Sequence, residues 1–220
     1  MPQEDMRIIP DEKRERCVTG IDGIDTILNG GIPRGNSVLV TGSCGTGKTT
    51  LSLEFLVHGA LNDENCLFIS VTESSERMLN NIVPYDFFDE ELVENGKLSF
   101  VDMPDVYEEL RILKKSEFSF DEINAIVDKI ETIVEKENIK RLVIDSITSV
   151  CFQLKTEEKI RDFILQLMKM LSSHGCTSLL ISEISPEEPR YSLYGIEEAI
   201  TDGIIMMGNL ERHGDLLRTL

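Results

Sequence analysis

Apolar residues in the chain alternate between short continuous runs and longer stretches in which they recur with helical spacing. The short runs are rich in Val, Ile and Leu, which is typical of buried strands. These runs cover residues 38–40, 66–71, 98–101, 141–144 and 177–181. Because parallel strands are joined by helical crossovers, the alternation predicts an α/β fold in which a mainly parallel sheet is flanked by helices on both faces.

The stretches between these runs predict helices. Lys48–Leu61 contains no helix breaker before Asn62 and predicts a helix, and residues 74–80 predict a shorter one. Two later stretches place their apolar residues on one helical face. They contain Ile123, Ile126, Val127, Ile130, Ile133 and Val134, followed by Ile160, Phe163, Ile164, Leu167 and Leu171. Residues 103–120 mix proline, charge and aromatic side chains, so we predict a loop or lid there.

Both ends of the chain differ from the alternating middle. Residues 203–210 and 215–220 predict two strands of an antiparallel hairpin, with a turn at Arg212-His213-Gly214. Such a hairpin adds an antiparallel edge to the sheet. Residues 1–16 are charged and contain no apolar core, so we predict a loosely held lead-in before one domain at residues 17–220.

The net charge of the chain limits the classes of partner that it can bind. Its 220 residues carry a formal net charge of −18, and the sequence pI is about 4.5. A surface this negative repels polyanions, which disfavours broad contact with nucleic acid or anionic lipid. The five cysteines include no C-x-x-C pair, so neither a disulfide framework nor a zinc site is indicated. Without a signal-peptide pattern or a membrane-spanning apolar run, we expect a cytoplasmic protein.

The first apolar run leads directly into the sequence Gly-Ser-Cys-Gly-Thr-Gly-Lys-Thr at residues 42–49. This sequence matches the phosphate-binding pattern G-x-x-x-x-G-K-[ST] in full. Small residues let the backbone curl round a phosphate with its N–H groups pointing inward, and the helix that follows contributes a favourable dipole. A flexible glycine turn is the alternative, but the strand before the loop and the helix after it favour phosphate binding.

The loop predicts a bound nucleoside triphosphate, ATP or its product ADP, together with Mg²⁺. Lys48 is expected to neutralise the β- and γ-phosphates during catalysis, the Thr49 hydroxyl to bind the metal, and Thr50 to reach the α-phosphate. The predicted nucleotide-binding residues are Gly42, Ser43, Cys44, Gly45, Thr46, Gly47, Lys48, Thr49 and Thr50.

Two acidic residues complete the predicted site. Asp145 follows the apolar run 141–144, where a strand would end and its carboxylate would hold Mg²⁺. A cap on the next segment is the alternative for Asp145. Glu73 follows the run 66–71 and is the candidate general base for the attacking water. The alternative for Glu73 is an acid that complements the dipole of the helix starting there.

Several segments together resemble KaiC-type domains in the RecA superfamily of ATPases. The segment TGIDGIDTILNGGIPRGNSVLVTGSCGTGKTTLSLEFL resembles the opening of such domains, and its combination of motifs is far more specific than the phosphate loop alone. Further similar segments are LFISVTES, RLVIDSIT and YGIEEAITDGIIMMGNLERHGDLLRTL. The resemblance covers nearly the whole chain from Cys17 onward, and it is to the single-domain members typical of archaea.

The resemblance implies a RecA-like core, ATP as the nucleotide and a ring-shaped, often hexameric, assembly with ATP at each subunit interface. Family members carry two acidic residues after the second core strand, whereas this chain has Thr72 followed by Glu73. This difference implies slow hydrolysis. Basic residues on the terminal strand of family members reach a neighbouring subunit's phosphates, and Arg218 matches one such position. A surface charge on an edge strand is the alternative for Arg218.

Three functions are compatible with these residues. The first is a slow, oligomeric, Mg²⁺-dependent ATPase with a regulatory or signalling role. The second is a nucleotide-gated interaction module with little hydrolysis. A DNA recombinase follows from the superfamily, but residues 183–200 carry five glutamates against Arg190, which disfavours contact with phosphates. In the autokinase domain of the family, a Ser-Thr pair just before an I-T-D sequence accepts the phosphate. This chain has Glu198 and Ala199 before Ile200, so those phosphate acceptors are absent.

Overall fold

The structure, a computed structural model, describes residues 15–112, 117–185, 190–212 and 215–220. The strands are β1 (Arg16–Cys17), β2 (Ile32–Pro33), β3 (Ser37–Gly42), β4 (Asn65–Ser70), β5 (Leu98–Asp102), β6 (Ile139–Asp145), β7 (Thr177–Glu183), β8 (Gly203–Arg212) and β9 (Asp215–Thr219). The helices are α1 (Asp22–Ile27), α2 (Lys48–Leu61), α3 (Ser75–Ile82), α4 (Glu91–Glu94), α5 (Met103–Glu109), α6 (Phe120–Lys136), α7 (Ile147–Leu154), α8 (Glu157–Ser173) and α9 (Glu197–Ile200).

Seven strands form one sheet in the order β5-β4-β6-β7-β3-β8-β9. All neighbouring pairs are parallel except β8 and β9, which pair antiparallel at one edge. Strands β1 and β2 form a separate antiparallel pair. This topology confirms the predicted α/β fold with a mainly parallel sheet and a closing hairpin. Arg212 and Asp215 pair across the hairpin, and residues 213 and 214 of the predicted turn lie outside the described residues.

The central strands are apolar because helices cover both faces of the sheet. Every residue of β3 is buried, as are residues 177–182 of β7. One apolar layer contains the buried faces of α6, α7 and α8, and a second contains those of α1, α2 and α3. A parallel sheet covered on both faces requires strands of this near-continuous apolar kind.

Helix α2 begins at Lys48 and ends at Leu61, as predicted. It directly follows Gly47, whose φ of 98° lies in the left-handed region that favours glycine. Its buried residues, among them Phe55 and Leu56, belong to the same apolar layer as β3. The loop between β3 and α2 is therefore anchored to the core at both ends.

The two long amphipathic helices α6 and α8 also form as predicted, each with a capped start. Ser119 and Glu122 exchange hydrogen bonds in a capping box at the start of α6. The Thr156 hydroxyl accepts a hydrogen bond from the Lys159 N–H at the start of α8. The predicted apolar faces of both helices lie in one core layer. Across the described residues, no helix combines the length and apolar character needed to cross a membrane.

The predicted loop or lid at residues 103–120 is wrong for its first part, which forms α5. Pro104 lies in the first turn of this helix, where its missing N–H is tolerated. Met103 and Val106 are buried and attach α5 to the core. Residues 113–116 of the segment lie outside the described residues.

Other differences from the prediction concern short elements. Helices α4, α7 and α9 have at most eight residues, too few for helical periodicity to distinguish them from loops. Arg16 belongs to β1 rather than to a loose lead-in, and its guanidinium donates to the carbonyls of Leu28 and Gly31. Residues 1–14 of the predicted lead-in lie outside the described residues.

A buried network surrounds Arg141 near the beginning of β6. The Arg141 side chain is 2% exposed, donates to the Glu64 carboxylate at 2.5 Å and lies over the Phe55 ring. It also donates to the carbonyls of Val18 and Phe55, and Arg34 pairs with the same carboxylate. Burial acts to raise the pKa of Glu64, but the hydrogen bonds from the two arginines hold that pKa below its ordinary value.

Candidate nucleotide-binding site

A cleft of about 270 Å³ opens at the carboxyl ends of β3, β6 and β7. This is the edge at which ligands bind in open α/β sheets. The cleft is lined by Cys44, Gly45, Gly47, Lys48, Thr49, Thr50, Asp145, Glu183 and Arg218. Folding therefore brings the predicted phosphate loop together with Asp145 and Arg218, which are distant from the loop in sequence.

The remaining loop residues form the turn behind the cleft. A Cβ on Gly42 would lie 2.4 Å from the carbonyl oxygen of Met207 in the neighbouring strand β8, so only glycine fits there. Thr46 is fully buried, and its hydroxyl donates to the Ser43 carbonyl at 2.9 Å. These contacts give the loop a defined conformation between β3 and α2.

Lys48 is the buried cation of the loop. Its side chain is largely enclosed, with 6% of the residue exposed, and Nζ donates to the carbonyl oxygens of Gly42 and Ser43 at 2.8 and 2.9 Å. Burial lowers the pKa of Lys48, whereas the charges of Glu183 and Asp145 act in the opposite direction. Carbonyl groups thus position the ammonium at the loop, and its charge is available to attract an anion.

Thr49 and Asp145 meet across the cleft although 96 positions separate them in sequence. The Thr49 hydroxyl donates to Oδ2 of Asp145 at 2.6 Å. Burial raises the pKa of Asp145, the hydrogen bond from Thr49 lowers it, and the charge of Glu183 raises it further. The net effect is a raised pKa, which means that this site disfavours the ionised carboxylate. A cation bound nearby would stabilise the ionised form.

The chemistry of this pair fits Mg²⁺. A hydroxyl and a carboxylate supply the hard oxygen ligands that Mg²⁺ prefers, and such sites rely on one or two protein ligands completed by phosphate and water. In the described parts of the chain, no group of three or more His, Cys, Asp or Glu side chains is arranged to hold a metal ion. Thr49 and Asp145 are the residues that would hold the ion beside a bound nucleotide.

Glu73 does not line the cleft. Its carboxylate pairs with Arg77 one helical turn later, with Oε1 2.9 Å from Nε, and its side chain is 40% exposed. The charge of Glu73 still raises the pKa of Asp145, but its effect is smaller than those of burial, the Thr49 hydrogen bond and the charges of Glu183 and Lys48. The structure therefore places the candidate base near the predicted edge of the sheet but outside the group of cleft residues.

Arg218 lies in the cleft of its own chain. It stands opposite Asn209 in the terminal hairpin, and a Cβ on Gly47 would lie 3.7 Å from both Cδ and Nη1 of Arg218. The family resemblance implied a contact with a neighbouring subunit, whereas within a single chain this side chain already faces its own phosphate loop.

Glu183 is the cleft residue that sequence reasoning did not assign to the site. It ends β7 and pairs in register with Gly42. A signal was available, because Glu183 follows the apolar run 177–181 closely, much as Asp145 follows the run 141–144.

A larger cavity of about 370 Å³ lies beside α5 and α7. It is lined by Val71, Thr72, Tyr107, Thr148, Ser149, Phe152 and Gln153. These side chains are uncharged, so the greater volume does not make this cavity a better place for a phosphate. The smaller cleft holds the charged side chains and the Thr49–Asp145 pair.

Comparison with known proteins identifies the family of the chain. A family model described as the KaiC ATPase matches residues 17–220. The chain belongs to the KaiC family of ATPases. A circadian clock oscillator protein KaiC from Acaryochloris marina is 31% identical over 206 residues, and the match covers 93% of this chain but 38% of that protein. A UPF0273 protein from Thermotoga maritima is 32% identical, and that match covers 94% of this chain and 85% of the relative.

A solved structure supports the same assignment. This KaiC family member superimposes on a KaiC-like protein from the hyperthermophilic archaeon Pyrococcus horikoshii OT3 with a TM-score of 0.75 and 33% identity. The match covers 93% of this chain and 86% of that one. It confirms the predicted RecA-like architecture, and the family model confirms the resemblance drawn from the sequence motifs.

Proposed function

We propose that this KaiC family member binds ATP and ADP with Mg²⁺ in the cleft and hydrolyses ATP slowly as a homo-oligomer with a regulatory role. Residues 17–220 form the single ATP-binding domain in this proposal. The observation that carries it is the convergence of the buried Lys48 ammonium with the Thr49–Asp145 pair at the ends of the central strands. These are the positive charge and the metal ligands that a triphosphate requires.

Each group has a distinct part in binding. Main-chain N–H groups of the loop and the Lys48 ammonium bind the β- and γ-phosphates. Thr49 and Asp145 hold Mg²⁺, which when bound neutralises charge on the phosphate oxygens. Arg218 offers a second cation at the mouth of the cleft.

Calorimetric titration with ADP and ATP, with and without Mg²⁺, tests the binding. Lys48→Ala is expected to weaken Mg²⁺-nucleotide affinity about 100-fold, because it removes a buried charge that contacts the phosphates. Lys169→Ala, an exposed position on α8, serves as the matched control and leaves the affinity unchanged. A wild-type protein without affinity for either nucleotide in Mg²⁺ would overturn the proposal.

The position of Glu73 favours the second candidate function, a nucleotide-gated interaction module with little hydrolysis. Its carboxylate pairs with Arg77 and does not line the cleft, so the candidate base is not positioned beside the phosphate loop. Phosphate release by the wild type and by Glu73→Gln separates the two functions, with Glu76→Gln as the control. Turnover that falls only in Glu73→Gln supports the ATPase. Nucleotide binding without turnover in the wild type supports the module.

An exposed apolar surface on the terminal hairpin supports the proposed homo-oligomer. Ile204, Met206 and Leu210 lie at alternate positions of β8, and Leu217 pairs with Leu210, so these four residues share one face of the hairpin. They are 39–52% exposed. Exposed apolar side chains grouped on one face are typical of interaction surfaces. Light scattering with and without Mg²⁺-ATP measures the assembly, and a monomer under both conditions at high protein concentration contradicts this part of the proposal.

A further inference from the structure

Glu183 is held at the cleft by its main chain while its side chain remains exposed. Its N–H donates to the Thr148 hydroxyl at 3.0 Å, and that hydroxyl donates in turn to Ser182 at 3.2 Å. The next N–H, of Ile184, donates to the Gly42 carbonyl at 3.3 Å. The backbone position of Glu183 is therefore coupled to the phosphate loop itself.

The Glu183 carboxylate has no hydrogen bond or ion pair with any residue in the parts of the chain that the structure describes. Its charge nevertheless acts on both key groups of the cleft. It is the largest charge influence on Lys48 and the larger of the two acidic influences on Asp145. Glu183, Lys48 and Asp145 all line the same cleft, so this carboxylate is a neighbour of both the cation of the loop and the acid that ends β6.

The charges that line the cleft cancel. Lys48 and Arg218 oppose Asp145 and Glu183, so the protein contributes no net positive charge for a polyanion. An unpaired carboxylate directed towards phosphates is repulsive unless a cation separates them. Asp145 has this cation in the proposed function, and the same reasoning applies to Glu183.

We propose that Glu183 is a second acidic residue of the magnesium site, facing the ion from β7 as Asp145 does from β6. The inference rests on the proposed nucleotide function and adds a positioning residue to it. Its consequence is that Glu183 favours the nucleotide only when the divalent cation is present and opposes it when the cation is absent.

Titration with ADP in Mg²⁺ and in EDTA tests this role through the ratio of the two affinities. Glu183→Gln is expected to lower the ratio roughly tenfold, the scale of effects from groups that orient metal ligands. The affinity in EDTA should stay the same or rise, since a repulsive charge is removed. Glu183→Asp, which keeps the charge, should retain more of the ratio than Glu183→Gln.

Glu158→Gln, an exposed change of the same type on α8, is the matched control and should leave the ratio unchanged. Thermal unfolding confirms that each variant is folded. Equal strengthening of ADP binding in Mg²⁺ and EDTA would show that Glu183 is a repelling charge only, and an unchanged ratio would equally overturn the inference. Failure of the nucleotide proposal is distinct, because the wild type would then bind no ADP in either buffer.

Discussion

Each end of β6 holds a charged residue, but among the described residues the one near the beginning is paired with an opposite charge and the one at the end is not. Near its beginning, Arg141 is paired with Glu64 and donates to two main-chain carbonyls. At its end, Asp145 accepts a hydrogen bond from Thr49, and the structure records no ion pair for it within the described residues. Four steps along the strand, roughly 13 Å, separate the Cα atoms of the two residues.

This difference in pairing separates a buried charge that stabilises the fold, Arg141, from a charge that is suited to binding a ligand, Asp145. In an ion pair whose groups are also hydrogen-bonded, these interactions offset the free-energy cost of burying the charges. Removing one partner leaves the other charge buried without compensation and destabilises the fold. The Asp145 carboxylate has a pKa that burial raises, so its ionised form destabilises the folded protein. Buried groups with such shifted pKa values are typical of functional sites. Stability and ligand binding should therefore respond in opposite ways at the two ends.

The largest effect is expected at the beginning of β6. Arg141→Met removes one partner of the buried network and should lower the free energy of unfolding by about 3 kcal/mol or more. Nucleotide affinity, measured well below the unfolding temperature, should not change. Lys140→Met on the same strand removes an equal charge and is the control. A loss of affinity without a loss of stability in chemical denaturation would break the comparison.

At the other end, Asp145→Asn is expected to stabilise the fold and weaken the metal site. The amide still accepts a hydrogen bond from Thr49 but carries no charge, so the unfolding temperature should rise by a few degrees, or about 1 kcal/mol. The gain in ADP affinity on adding Mg²⁺ should shrink about tenfold. Calorimetric scans and titrations measure both, and a destabilised variant would contradict the account.

The pH dependence of that variant follows from the sign of the shift. Because the pKa of Asp145 is raised in the folded state, its penalty is absent below the unfolded pKa and complete above the folded one. The stability difference between Asp145→Asn and wild type should thus vanish towards acid pH. Glu64 has the opposite shift, so its contribution is present above the unfolded pKa and is lost as the pH falls through its folded value.

The smallest effect is expected at the mouth of the cleft. Arg218→Ala should weaken ADP binding a few-fold, on the order of 1 kcal/mol, because the arginine is exposed and solvent screens its charge. Arg212→Ala, at the other end of the hairpin, is the control. If ADP affinity falls at every protein concentration, Arg218 contacts the nucleotide bound to its own chain. If ADP affinity falls only at concentrations at which copies assemble, Arg218 contacts the nucleotide bound to a neighbouring subunit.

Much of the fold could be predicted from sequence because the central strands and long helices have strong periodic patterns. Residues Lys48–Leu61 are a helix with the predicted bounds, and the apolar runs lie within the strands of the sheet except for Val71, which follows the end of β4. Helix α7 was missed because eight residues show too little periodicity, and α5 was missed because Pro104 was interpreted as a loop signal although the first turn accepts it.

The sequence by itself determined the phosphate loop, since its conformation depends on glycines and a lysine at fixed local spacing followed by a helix. The tertiary structure alone decided that Thr49 meets Asp145, that Glu183 and Arg218 join the cleft, and that Glu73 stays outside it. The physical reason is that these meetings depend on the order of strands in the sheet. Local residue patterns specify the strands but not which of their ends become neighbours.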